Sequence, residues 1–302
     1  MLALPRDPKD PLKLADWLEL YALISGDRNS SYGDLVTALK AASFINPREI
    51  TNAEELPTSV FEELARRVKA TGAAYPFDVD GAIIRCKAQP LSYETYIFCL
   101  CLSYFTWKGL AKGSAIHPDR IFEHLCTDVA RAFVVGEARR FGAPRISEVF
   151  ATKFPKAVEE LAARDLREGE GFKKKQEVSA SGDGGLDIVA WRKHPDDMPG
   201  KLIFFGACAT GGDWPKKLHE QLSPITFAEN FFADSMVSRI VGGFFIPHRV
   251  PKGKWDMLSR LAGGVLFDRC RIAHWSPRLP RHCPAGNGLQ WAKSKLDAVK
   301  GK

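Results

Sequence analysis

The chain has 302 residues, 45% of them hydrophobic, with a formal net charge of +7; that length suits one large or two ordinary domains with buried cores and excludes a low-complexity or disordered chain. The first residues, MLALPRDPKDPLKLADW, carry charge and proline where a signal peptide needs an apolar run, and the longest strongly apolar stretch, 97–105, is about half of what a bilayer crossing takes. A cytoplasmic protein without membrane contact is therefore expected.

In chain order, Asp10 followed by Pro11 predicts a helix start, an oxygen cap before a proline at the first helical position. Leu14, Trp17, Leu18, Tyr21 and Ile24 then recur at helical spacing. Helices are expected over 32–42 and 59–70, a short strand in GAIIRCKAQ, and a buried helix over 93–107. Residues 1–112 thus form a mainly helical accessory domain. A helix, helix, strand order also fits a winged-helix DNA reader, but no helix offers a clear row of exposed Arg, Asn or Gln.

From residue 113 the pattern changes. Ile121, Phe122, Leu125, Cys126, Val129, Ala130 and Phe133 share one helix face, entered through Pro118 and Asp119. A second helix is predicted over 154–166, then strands around 177–180, 186–192 and 201–208, the last two with the composition of a hairpin around KHPDDMPG. Helices over 215–222 and 254–261 and strands over 240–246 and 264–272 complete an α/β pattern, a mixed sheet with helices on its faces over 113–302.

Phosphodiester hydrolysis at neutral pH is commonly served by a metal ion held by hard oxygen ligands. Asp187 begins a strand after the turn SGDGG, whose glycines let backbone or ligand approach closely. Strand alternation puts it on one face with Val189, so its charge lies either at a sheet edge or at work. The stretches IFEHL, GDGGLDIVA and KLIFFGACATG resemble the motif-bearing elements of the PD-(D/E)XK nuclease superfamily, the restriction-endonuclease-like fold. This resemblance implies an α/β restriction-endonuclease-like mixed sheet flanked by helices, Mg2+ (or Mn2+) held by Glu123 and Asp187, and DNA as substrate. A role in phage defence or restriction follows by analogy.

The family's next strand carries an acid or amide, then any residue, then a lysine; here Ala207, Cys208 and Ala209 stand there. An alanine cannot coordinate a metal. Three explanations remain open. Some branches read Gln, Cys, Ala, Thr, Gly on this strand and move the lysine into the following helix, which would make Lys217, or Lys216, the residue that assists the attacking water, and Ala207 a substitution that removed a glutamine. The chain is otherwise a pseudonuclease that binds nucleic acid or assembles with a partner, or the match is accidental and Asp187 only closes a turn.

From Arg249 onward twelve Lys or Arg stand against three Asp, while the rest of the chain is slightly acidic. Such a block favours a polyanion, and Lys252 and Lys254, with Lys173 and Lys174 in FKKKQ, are the expected phosphate contacts. A partner protein or a second copy is expected on the helical first domain. The seven cysteines form no CxxC pair and lie mostly in apolar sequence, which predicts reduced, buried thiols. Cys270, His274, His282 and Cys283 have zinc-ligand chemistry at a spacing that matches no regular zinc module.

Overall fold

A computed structural model of the chain describes residues 2–5, 7–44, 50–88, 93–105, 116–173, 182, 184–220, 224–276, 278–280 and 283–300. The fold is mixed α/β, in two units: one comprises 1–118, 247–251 and 269–302, the other 119–246 and 252–268. The sequence suggested a second domain running from 113 to the C-terminus, but residues 269–302 belong to the first unit. Two interactions draw them there: the buried Arg269 guanidinium pairs with Asp16, and the Trp291 ring packs edge-on against Phe98.

The first unit starts with α1 (Pro11–Ile24), whose N-cap Asp10 accepts from the Leu12 N–H as its sequence predicts. β1 (Asn29–Ser31), α2 (Tyr32–Ala41), α3 (Ile50–Thr71), β2 (Phe77–Asp80), β3 (Ile83–Cys86) and α4 (Glu94–Tyr104) follow. The three strands form an antiparallel sheet in the order β1-β3-β2. Helix α3 begins nine residues before the expected Ser59 and carries Pro57 inside it. The helix, helix, strand order suited to a winged helix is present, yet the exposed positions of α3 include Glu55 and Glu62 and only one lysine, Lys69, which gives phosphates little to bind.

In the second unit α5 (Pro118–Val134) precedes β4 (Glu137–Arg140), α6 (Phe154–Glu160), β5 (Ile188–Arg192) and β6 (Leu202–Cys208), and α7 (Trp214–Glu220), α8 (Pro224–Phe231), β7 (Ile240–Phe245), α9 (Trp255–Leu261) and β8 (Gly264–Phe267) come after. The sheet order is β4-β5-β6-β7-β8. β4, β5 and β6 are antiparallel neighbours, whereas β6, β7 and β8 run parallel. Alternation sorts the side chains into two cores. Val189, Trp191, Ile203 and Phe205 pack on one face with α6 and α8. Phe204 meets Phe133 of α5, Phe245 and Phe267 on the other. Gly243 is required there, because a methyl group on it would stand 2.0 Å from the Phe204 ring.

The expected hairpin and the strand near 240 are present. The strand expected over 177–180 lies outside the described residues. The strand expected to reach 272 stops at Phe267, since Arg269–Trp275 is a helix, α10; α11 (Gly288–Lys300) completes the chain. The C-terminal basic block is split between the units and is less of a surface than its charge count suggests, because Arg249 pairs with Glu63 and both are buried, as is Arg269. Among the described residues no helix is long and apolar enough to cross a membrane.

Candidate functional site

Asp187 enters β5 with its backbone held on both sides. Its N–H donates to the Gly206 carbonyl of β6 (3.0 Å), and its own carbonyl accepts from the N–H groups of Phe141 (2.7 Å) and Gly142 (3.0 Å) just past β4. The side chain is therefore aimed by the sheet. Its Oδ2 accepts the Cys208 N–H at 2.7 Å.

Glu123 reaches the same place from α5. Its Oε2 accepts from Arg140 Nε at 2.6 Å and forms an ion pair with Nη2 at 2.5 Å. Arg140 is in turn anchored by donating to the Pro144 carbonyl at 2.8 Å. The carboxylates converge on Gly142: a methyl group added there would stand 2.9 Å from Asp187 Oδ1 and 3.1 Å from Glu123 Oε2. Only a residue without a side chain leaves that space open.

Ala207, at the third position implied by the family resemblance, is buried in β6. The regular β5/β6 ladder begins at the Ile188–Gly206 pair, and the Asp187 N–H also donates to the Gly206 carbonyl, so the register does not continue to set Asp187 opposite Ala207. The β6 residue whose backbone meets the aspartate side chain is Cys208.

Two thiols border the pair. Cys126 of α5 and Cys208 of β6 share a hydrogen bond, and burial, aided by the charges of Asp187 and Glu123, pushes both thiols up. They stay protonated at neutral pH and so are poor metal ligands. Burial, and after it the charge of Arg140, lowers His124 below the usual histidine range, which keeps a neutral imidazole beside Glu123.

Two carboxylates converging on the cradle at the side-chain-free Gly142 suit a hard divalent cation such as magnesium, which takes oxygen donors and keeps several waters. The fit is partial: among the described residues no group of three or more His, Cys, Asp or Glu is arranged to hold a metal ion, and Arg140 already neutralises the Glu123 oxygen that faces the cradle. The zinc set considered from sequence includes His282, outside the described residues.

Lys216 and Lys217 are exposed on α7, and the Lys217 ammonium makes no hydrogen bond or ion pair among the described residues. Lys252 and Lys254 are exposed just before α9, and Lys173 is half-buried after α6. Lys174 lies outside the described residues. Sequence reasoning missed Arg140 and Gly142. Arginine in a short charged strand looks like any surface residue, and nothing near Gly142 in the sequence says that two carboxylates will close on it.

No family model, no curated protein and no solved structure matches this chain.

Proposed function

We propose that the chain is a metal-dependent nuclease of restriction-endonuclease-like fold that acts on DNA, with position 207 as the vacated third ligand of its metal site. One observation carries this reading: Asp187 and Glu123 turn oxygens to the same place at Gly142, from a strand entry and a helix that share no local sequence. The sheet order supports it, with helix α5 before antiparallel strands and a helical crossover into parallel ones. A metal bound there would polarise a phosphoryl oxygen and generate a nucleophile from its own water.

The chain's own residues divide the remaining tasks. Asp187 and Glu123 hold the cation, and Arg140 keeps Glu123 oriented through its paired N–H groups. Lys252 and Lys254, both exposed, track the phosphate backbone, as does Lys173. Lys217 or Lys216 reaches the attacking water once nucleic acid is bound. A cytoplasmic setting in phage defence or restriction is the natural context for such an activity, with a second copy or another protein as partner of the first unit.

A second reading is favoured by the Arg140–Glu123 pair, which already balances one carboxylate without any metal: a nuclease-fold subunit that binds nucleic acid and does not cut. Plasmid DNA incubated with Mg2+ or Mn2+ separates the two. The chain as it stands is expected to cleave weakly or not at all, and Ala207→Glu or Ala207→Gln to cleave in a metal-dependent manner that Asp187→Ala abolishes. DNA binding by folded forms of all these variants with cleavage by none would establish the noncatalytic reading.

A further inference from the structure

The first unit contains a cavity of about 690 Å3, lined by Leu2, Tyr21, Ile24 and Val299 with Arg28 and Lys300 at its edge. This volume lies within the range of small-molecule sites, which combine apolar walls with a few placed polar groups. We propose that it binds a small organic anion with an apolar body, the body lying against Tyr21, Ile24 and Val299 and the charged end between Arg28 and Lys300. The site is independent of the nuclease reading.

Its walls are held firmly. The Trp17 indole N–H donates to the Leu2 carbonyl at 3.3 Å, which pins Leu2 against α1. Tyr21 stacks on Trp17 with ring centroids 5.0 Å apart and planes 20° from parallel, so its ring is a fixed flat surface. The helix end above them is closed: Ser25 N–H donates to the Tyr21 carbonyl at 2.8 Å, and Ser25 Oγ accepts the Asn29 N–H at 3.1 Å. The first of those bonds takes up the Tyr21 carbonyl, an acceptor that would otherwise oppose an anion.

Arg28 sits on that turn at φ +54°, in the left-handed region that residues other than glycine adopt only when their surroundings impose it. Its N–H donates to the Ser25 carbonyl at 3.2 Å. The mount is therefore stiff, and the guanidinium it presents has the Cys86 sulfur as a neighbour, a weak acceptor. Neither Arg28 nor Lys300 is paired with a carboxylate among the described residues. Two uncompensated cations over an apolar hollow select for a ligand that is negative at one end and greasy at the other, since the walls reduce the screening of the charge they face.

A fluorescence titration of the full chain with 1-anilinonaphthalene-8-sulfonate, an anion of this kind, tests the site. One saturable site is expected, weakened roughly tenfold in Arg28→Ala/Lys300→Ala, since each partly exposed charge contact supplies a modest share of affinity. The neutral N-phenyl-1-naphthylamine should bind the unaltered chain more weakly than the sulfonate and be indifferent to the double substitution. Lys293→Ala, on the exposed side of α11, should change neither. Decanoate and adenosine monophosphate then compete with the sulfonate, and the one that displaces it tells an aliphatic body from an aromatic one. Unchanged affinity in the folded double variant, equal binding of the neutral probe, or displacement by neither competitor at millimolar concentration would each overturn the proposal.

Discussion

In the first unit the guanidinium groups of Arg67, Arg249 and Arg269 meet the carboxylates of Asp16, Glu19 and Glu63, all six residues buried. Arg67 donates to Glu63 Oε1 at 3.0 Å, Glu19 Oε2 at 2.8 Å and the Leu12 carbonyl at 2.8 Å, and Tyr75 and Tyr96 each donate a hydroxyl to Glu19 Oε1 at 2.7 Å. In the second unit Glu123 is held by one guanidinium and Asp187 by a backbone N–H, and both still turn an oxygen to the cradle at Gly142. The first group pairs every buried carboxylate with buried guanidinium groups, and Glu63 also holds the half-buried Arg66. The second sets a carboxylate paired with a guanidinium beside one that accepts a backbone N–H, the kind of charged cluster found at sites of function.

The comparison is sharpest where one charge is removed from each group. Arg67→Ala leaves several buried carboxylates without their main partner and is expected to cost about 3–5 kcal/mol, the usual scale for breaking a buried ion pair. Asp187→Asn retains an oxygen for the Cys208 N–H and removes a like charge facing Glu123, so the expected change is between zero and about 1 kcal/mol of added stability. Urea unfolding of both variants beside the unaltered chain decides it. A loss from Asp187→Asn as large as that from Arg67→Ala would make Asp187 a structural residue and break the contrast.

Gly142→Ala is expected to have the next largest effect. Its methyl group would meet an oxygen of each carboxylate at close range, and overpacking of this kind costs about 1–3 kcal/mol. The same substitution placed on Ala207→Glu should abolish the cleavage expected of that variant, while a glycine-to-alanine change at Gly253, which has open space around it, should leave both stability and cleavage nearly unchanged. Retained cleavage in Gly142→Ala would mean that the cradle is not where the chemistry happens.

Much of this was legible in the sequence where the signal is local. The Asp10–Pro11 cap, the apolar face of α5 and the β5/β6 hairpin depend on residues a few positions apart, and each is present. Glu123, Asp187 and position 207 were linked in the sequence only by a family resemblance, and the structure brings the first two together at Gly142. What stayed hidden depends on distance or on edges. β4 is a sheet-edge strand of sequence EARR, with too much charge to resemble a strand, although Arg139 pairs with Asp165 and Arg140 with Glu123. RCRIAHW continues an apolar run in the sequence but forms α10, whose Arg269 finds Asp16 near the other end of the chain. The helix expected from Ser59 begins at Ile50, with Pro57 inside it.

The first group should also answer to acid, and in one direction only. Burial alone would raise the Asp16 carboxyl, but the charges of Arg269 and Arg67 outweigh it and hold that carboxyl below its ordinary 3.8. Glu63 follows the same logic, with Arg67 and Arg249 outweighing burial to hold it below 4.5. A carboxylate whose pKa is lower folded than unfolded contributes stability that is fully present above the unfolded value and is lost as pH falls through the folded one. Stability measured by urea unfolding should therefore be insensitive to these groups between pH 7 and about 5.5, then fall progressively below about pH 4.5, where the unfolded state takes up protons that the folded state refuses. Arg249→Met removes one of the charges that hold Glu63 down, so its acid decline should be shallower than that of the unaltered chain. An equal slope in the two would mean that carboxylates outside this network set the acid limit, and the contrast between the two charged groups would then rest on the substitutions alone.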